Sequence, residues 1–185
     1  MSSGDAGEIT ARWLPQAQFK ERHGAVVTGS AETILATLKS FDVSQDKVMR
    51  FMMDLREAPS RIWAKLGGHS AIAGCARFGL DNFTLLGESP HALVYGMAGR
   101  FWQLDYGLEH LDSPDAFKHF NMPGVSRLVM AYSAIARADG LIDLVTETRV
   151  YCPDQKSLNR FRPYWIAIRL GSGFIRRRIL ARASR

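Results

Sequence analysis

The chain has 185 residues, 46% of them apolar and 23% charged, the proportions of an ordinary soluble domain with enough chain to bury a sizeable core. Two cysteines, Cys75 and Cys152, are too few for a disulfide framework, and with no secretory signal and no apolar run near the ~18 residues of a membrane span, a cytoplasmic protein is expected. The net charge of +6 is local: residues 155–185 carry nine basic side chains and no acidic one, which leaves −3 for residues 1–154.

Residues 1–15 are expected to be a flexible tail and residues 16–185 a single domain. Phe19 to Thr28 alternates as a strand, with Phe19, Glu21, His23, Ala25 and Val27 on one side. Ser30 is a helix cap, with Glu32 in the first turn and Ile34, Leu35, Leu38 and Phe41 on the apolar side. Ser44 caps a second helical segment carrying Val48, Phe51, Met52 and Leu55, which Pro59 divides. Gly67 to Gly79 is glycine- and alanine-rich without periodicity and reads as a loop or lid.

The following half is rich in strands. Phe83–Gly87 and Ala92–Trp102 flank a break at residues 88–91. Ser113-Pro114-Asp115 opens a short helix through His119. Ser126–Ala138 and Leu141–Cys152 flank Asp139-Gly140, which predicts a hairpin with a two-residue type I′ turn. Residue i then pairs with 279 − i, placing Tyr132 opposite Glu147 and Met130 opposite Arg149. Pro153-Asp154 ends the strand and starts a last helix, in which Leu158, Phe161, Trp165, Ile168, Ile175 and Ile179 share one side. Pro163, Gly171 and Gly173 are expected to bend or divide that helix.

This order of strand, two helices, antiparallel strands and long terminal helix resembles the helix-grip fold of the START-like (SRPBCC) superfamily. The resemblance rests most closely on Glu21-Arg22-His23, on Thr146-Glu147-Thr148-Arg149-Val150, and on the segment from Phe161-Arg162-Pro163-Tyr164-Trp165 through Gly171-Ser172-Gly173-Phe174-Ile175-Arg176-Arg177. It implies an α+β fold, a curved antiparallel sheet around the C-terminal helix, with a hydrophobic cavity between them. Members of the superfamily bind lipids, sterols, quinones or polyketides, and a minority are enzymes.

Within such a cavity Phe161, Trp165 and Ile168 form one wall, and the adaptable thioethers of Met49, Met52 and Met53 part of the entrance. The resemblance also makes the first and last strands neighbours. Glu21 and His23 then come near Glu147 and Arg149, with Tyr132 opposite Glu147, as a polar cluster able to orient a ligand. The alternative is that these groups lie on the other face of the sheet, since both faces of the hairpin carry apolar residues. Arg100-Phe101-Trp102 is a further candidate, with Trp102 at the cavity mouth.

His23, His69, His91, His110 and His119 lack metal-ligand spacing, and no nucleophile elbow, Walker loop or dinucleotide fingerprint occurs. The expected function is the binding or carrying of a hydrophobic small molecule, with a polyketide cyclase/aromatase-like enzyme as the alternative. No metal or cofactor is expected. The basic helix suits weak contact with an anionic membrane surface better than nucleic acid, and a homodimer is left open.

Overall fold

Five apolar or alternating segments pair as one open antiparallel sheet in a mixed α+β architecture. The strands are β1 (Phe19–Val27), β2 (Thr84–Ser89), β3 (Ala92–Gly99), β4 (Ser126–Ala136) and β5 (Ile142–Tyr151), in the order β1-β5-β4-β3-β2. The computed structural model describes residues 5–40, 83–103, 107–166 and 169. The helices are α1 (Ala6–Trp13), α2 (Ala31–Ser40), α3 (Pro114–His119) and α4 (residues 155–166). The expected helices after Ser44, the Gly67–Gly79 loop, Met49, Met52, Met53 and Ile168 lie outside the described residues. Among the described residues, no helix is long and apolar enough to cross a membrane.

Local chemistry accounts for the helix starts. Ser30 Oγ accepts from the backbone N–H of Thr33 at 3.1 Å, and Ser113 Oγ accepts from Ala116 N–H at 3.1 Å, with Pro114 at the first position of α3. Asp154 Oδ1 accepts from Ser157 N–H at 2.8 Å and so caps α4. Pro163 consequently sits inside α4.

Both faces of the sheet are covered. On one face α2 packs through Leu35 against Leu93, Tyr95, Ala134 and Ile142, and α4 packs through Phe161 and Trp165 against Met97, Leu128, Met130 and Val150. On the other, α1 and α3 bring Ala6, Leu14 and Phe117 against Leu86, Val94, Val129 and Ala131. This explains why β3 is buried along its whole length. Its run Ala-Leu-Val-Tyr-Gly-Met-Ala-Gly has no polar side to give to water.

The expectation of a flexible tail fails from Ala6 onward. Asp5 accepts from Gly7 N–H at 3.3 Å and begins α1, where Ala6 and Thr10 are fully buried. The signal was present: an Asp cap, then apolar or small residues at 6, 9, 10, 13 and 14, then Pro15.

The hairpin register also differs from the expectation. Arg137 N–H donates to Leu141 O at 2.8 Å and Arg137 O accepts from Gly140 N–H at 3.2 Å. The loop therefore holds three residues, Ala138, Asp139 and Gly140, and ends on Gly140 at φ 80°. Pairs now sum to 278: Tyr132 faces Thr146, Met130 faces Thr148 and Ala131 faces Glu147. Because side chains alternate, this slip of one residue puts Glu147 and Arg149 on the face opposite Tyr132.

Gly96 marks a close contact between the sheet and α3. A Cβ there would lie 2.7 Å from Leu86 Cδ1 and 2.9 Å from two ring carbons of Phe117. Gly96→Ala is expected to lower stability by about 1–3 kcal/mol through overpacking, measured by urea unfolding. Adding Phe117→Leu should cost less in that background than in the parent protein, because it makes room for the new methyl.

Candidate functional site

The face under α4 gathers the aromatic side chains of three distant segments. Phe161 lies 4.9 Å from Phe19, 5.8 Å from Trp165 and 6.2 Å from Phe101, ring centre to ring centre, and Phe19 lies 5.6 Å from Trp165. Such tilted and edge-on pairs each add about 0.5–1.5 kcal/mol beyond area burial. Met97 and Met130 floor the cluster, while Trp102, Tyr132, Leu108 and Tyr164 close its sides. Phe83 and Tyr132 join it to the cluster beneath α2, so the apolar surface is continuous along this face.

Polar groups stand at its border. Glu21 follows Phe19 on the same side of β1; its carboxylate lies 3.4 Å from His23 Nε2 and 3.0 Å from Arg169 Nε. The Tyr132 hydroxyl donates to Met130 Sδ at 3.5 Å. The Trp102 indole nitrogen is shut off from solvent and has no hydrogen-bond partner among the described residues. A buried donor in that condition costs about 1–3 kcal/mol.

A different polar group occupies the opposite face. Glu147 Oε1 accepts from Arg149 Nε at 2.8 Å and from Thr10 Oγ1 at 2.8 Å, and its second oxygen lies 3.5 Å from Arg22 Nη1. Arg149 Nη2 donates to Gly7 O at 3.0 Å, and Arg22 grips Asp5 with both terminal nitrogens. Ala6 N–H donates to Ser133 Oγ at 3.3 Å. Together these bonds hold the first two turns of α1 on the sheet. Burial pushes the Glu147 carboxyl up, but Arg149, Thr10 and Arg22 outweigh it and hold the group below the ordinary glutamate range. The hydrogen bonds and charge of Arg22 likewise lower Asp5 against its slight burial.

The proposed polar cluster is therefore two separate groups. Glu21, His23 and Tyr132 share the face of α2 and α4, with Trp102, Phe161 and Trp165. Glu147 and Arg149 lie under α1, engaged with Arg22, Thr10 and Gly7. Met52 and Ile168 lie outside the described residues. Phe19, Met97 and Met130 were missed as members of the aromatic face, although strand alternation already put Phe19 beside Glu21 and His23. Arg100 pairs with Glu109 at 3.3 Å. Cys152 is buried, and burial pushes its thiol up while Ser126 Oγ donates to the sulfur at 3.2 Å, the opposite of an activated nucleophile. On α4, Lys156, Arg160 and Arg162 are exposed, opposite Phe161 and Trp165.

No family model and no curated protein matches the chain. Among solved structures it is similar to hypothetical protein jhp0584 from Helicobacter pylori, at 10% identity over 85% of this chain and 90% of that one, with a TM-score of 0.29. A likeness so slight assigns neither fold nor function.

Glu147→Ala is expected to cost about 3 kcal/mol at neutral pH, because it strands the Arg149 guanidinium in a buried site. The depressed Glu147 value also sets a pH dependence. The ionised carboxylate stabilises the fold above its ordinary value of 4.5, and that contribution is lost as pH falls through the lower folded value. Urea midpoints of the parent protein should therefore drop across this acid range, and those of Glu147→Gln should drop less. Parallel curves for the two proteins would remove Glu147 as the source.

Proposed function

We propose that this chain is a helix-grip protein of the START-like (SRPBCC) kind that binds or carries a hydrophobic small molecule, lipid-, quinone- or polyketide-like, on the sheet face beneath α4. The observation that supports this reading is the continuous aromatic and methionine surface formed by Phe19, Met97, Phe101, Met130, Phe161 and Trp165, with a few polar groups at its margin. Small-molecule sites are typically mostly apolar, with sparse polar groups that orient the ligand. The two thioethers add a surface that adapts to irregular shapes.

The order of the described elements supports the fold part of the reading: after α1, a strand, a helix, an antiparallel meander and then α4, which lies on the sheet through its apolar side. The cyclase/aromatase alternative draws less support. It needs an inward-facing constellation of Glu21, His23, Glu147 and Arg149, and the last two are spent on securing α1.

The test uses the full chain and 11-(dansylamino)undecanoic acid, an apolar chain bearing a solvent-sensitive fluorophore. Saturable one-to-one binding with blue-shifted emission is expected, displaced by an unlabelled fatty acid, with the urea midpoint rising with the logarithm of probe concentration above the Kd. Folded protein that neither binds the probe nor releases any apolar molecule on solvent extraction would refute the reading.

A further inference from the structure

Buried indole N–H groups nearly always find an acceptor, so an orphan one calls for a physical account. Trp102 Nε1 is such a group. Its partly buried side chain packs against the cluster made of Met97, Phe101, Leu128, Met130, Val150, Cys152, Phe161 and Trp165, whose side chains hold no oxygen. The one thiol among them already accepts from Ser126. The donor is thus set against a largely apolar surface on which it makes no hydrogen bond among the described residues. An apolar ligand with one well-placed acceptor would meet both features at once: carbon surface for the rings and an oxygen for the N–H.

We infer that the molecule held on this face is a carbonyl-bearing apolar compound, and that Trp102 Nε1–H donates to its carbonyl oxygen. This rests on the ligand-binding reading above and adds the chemical class and the residue that selects it. A hydrocarbon of the same shape would leave the N–H unpaired, whereas a ketone or quinone would satisfy it, so discrimination comes from the bound donor rather than from size. Tyr132, packed on the same cluster, supplies a second uncharged donor, its hydroxyl, which here donates to Met130 Sδ. Neither group is charged, which suits a neutral carbonyl better than a carboxylate.

Two probes of matched shape separate this inference from the reading beneath it: 2-acetylnaphthalene, with C=O, and 2-isopropenylnaphthalene, with C=CH2 in its place. Both are titrated into ¹⁵N-labelled full chain while the indole N–H resonances of the four tryptophans are followed. The Trp102 signal is assigned by its loss in Trp102→Phe or Trp102→Tyr. The ketone is expected to bind about tenfold more tightly, as one hydrogen bond to a buried donor allows, and to shift the Trp102 signal downfield. In Trp102→Phe the two affinities should converge. If both probes bind equally and the Trp102 signal responds alike to each, the N–H is answered by a trapped water or by nothing. The carbonyl assignment then falls while the apolar site stands. If neither probe binds folded protein, both fall. Should the variants fail to fold, the two probes on the unaltered chain still decide the matter.

Discussion

The pairing of β4 with β5 decides what each side of the sheet contains. Three residues in the connecting loop, ending on the left-handed Gly140, set every pair along ten residues of ladder. Even-numbered residues of both strands then face α2 and α4, and odd-numbered residues face α1 and α3. Tyr132, Met130 and Val150 join the aromatic cluster on one side; Ala131, Glu147 and Arg149 go to the other. A two-residue turn would have mixed these sets and buried a carboxylate and a guanidinium beneath the aromatic rings of α4. Since alternation is strict, no intermediate arrangement exists.

The charges displaced from the aromatic face are used where they lie. Glu147 is 5% exposed, and an ionised carboxylate at that depth is tolerable only with several partners. It has them from three segments: Thr10 of α1, Arg149 of its own strand and Arg22 of β1. Arg149 completes the link by donating to the backbone of α1. Buried ion pairs of this type contribute modestly to net stability, because desolvation offsets attraction, but they discriminate strongly between arrangements. Only one placement of α1 satisfies all of these groups. Gly7 sits against them so closely that a Cβ would lie 2.8 Å from Glu147 Oε2. The more exposed Arg22–Asp5 pair adds little energy of its own but closes the helix start.

With one face filled by α1, α3 and their network, the other can be largely apolar. Among the described residues its polar groups include Glu21 and His23 at the β1 margin, the Tyr132 hydroxyl, and the Trp102 N–H. Each stands at or within a surface of rings and thioethers. That contrast between a charged, satisfied face and a greasy, sparsely polar one motivates a binding role under α4 and a structural role under α1.

Much of the architecture was legible in the chain itself. The alternation of Phe19 to Val27, the caps at Ser30, Ser113 and Asp154, the uninterrupted apolar run of β3 and the spacing of Leu158, Phe161 and Trp165 all express local backbone preferences and burial patterns. These act over a few residues and need no knowledge of neighbours. Asp5 and Pro15 bracketed α1 in the same language, although the polar surroundings hid it. Three things were decided only by tertiary structure: the face on which Glu147 and Arg149 lie, the burial of α1, and the isolation of the Trp102 N–H. Each depends on which distant segment comes to rest against a given side chain. A loop longer by one residue reverses that outcome without altering any local propensity.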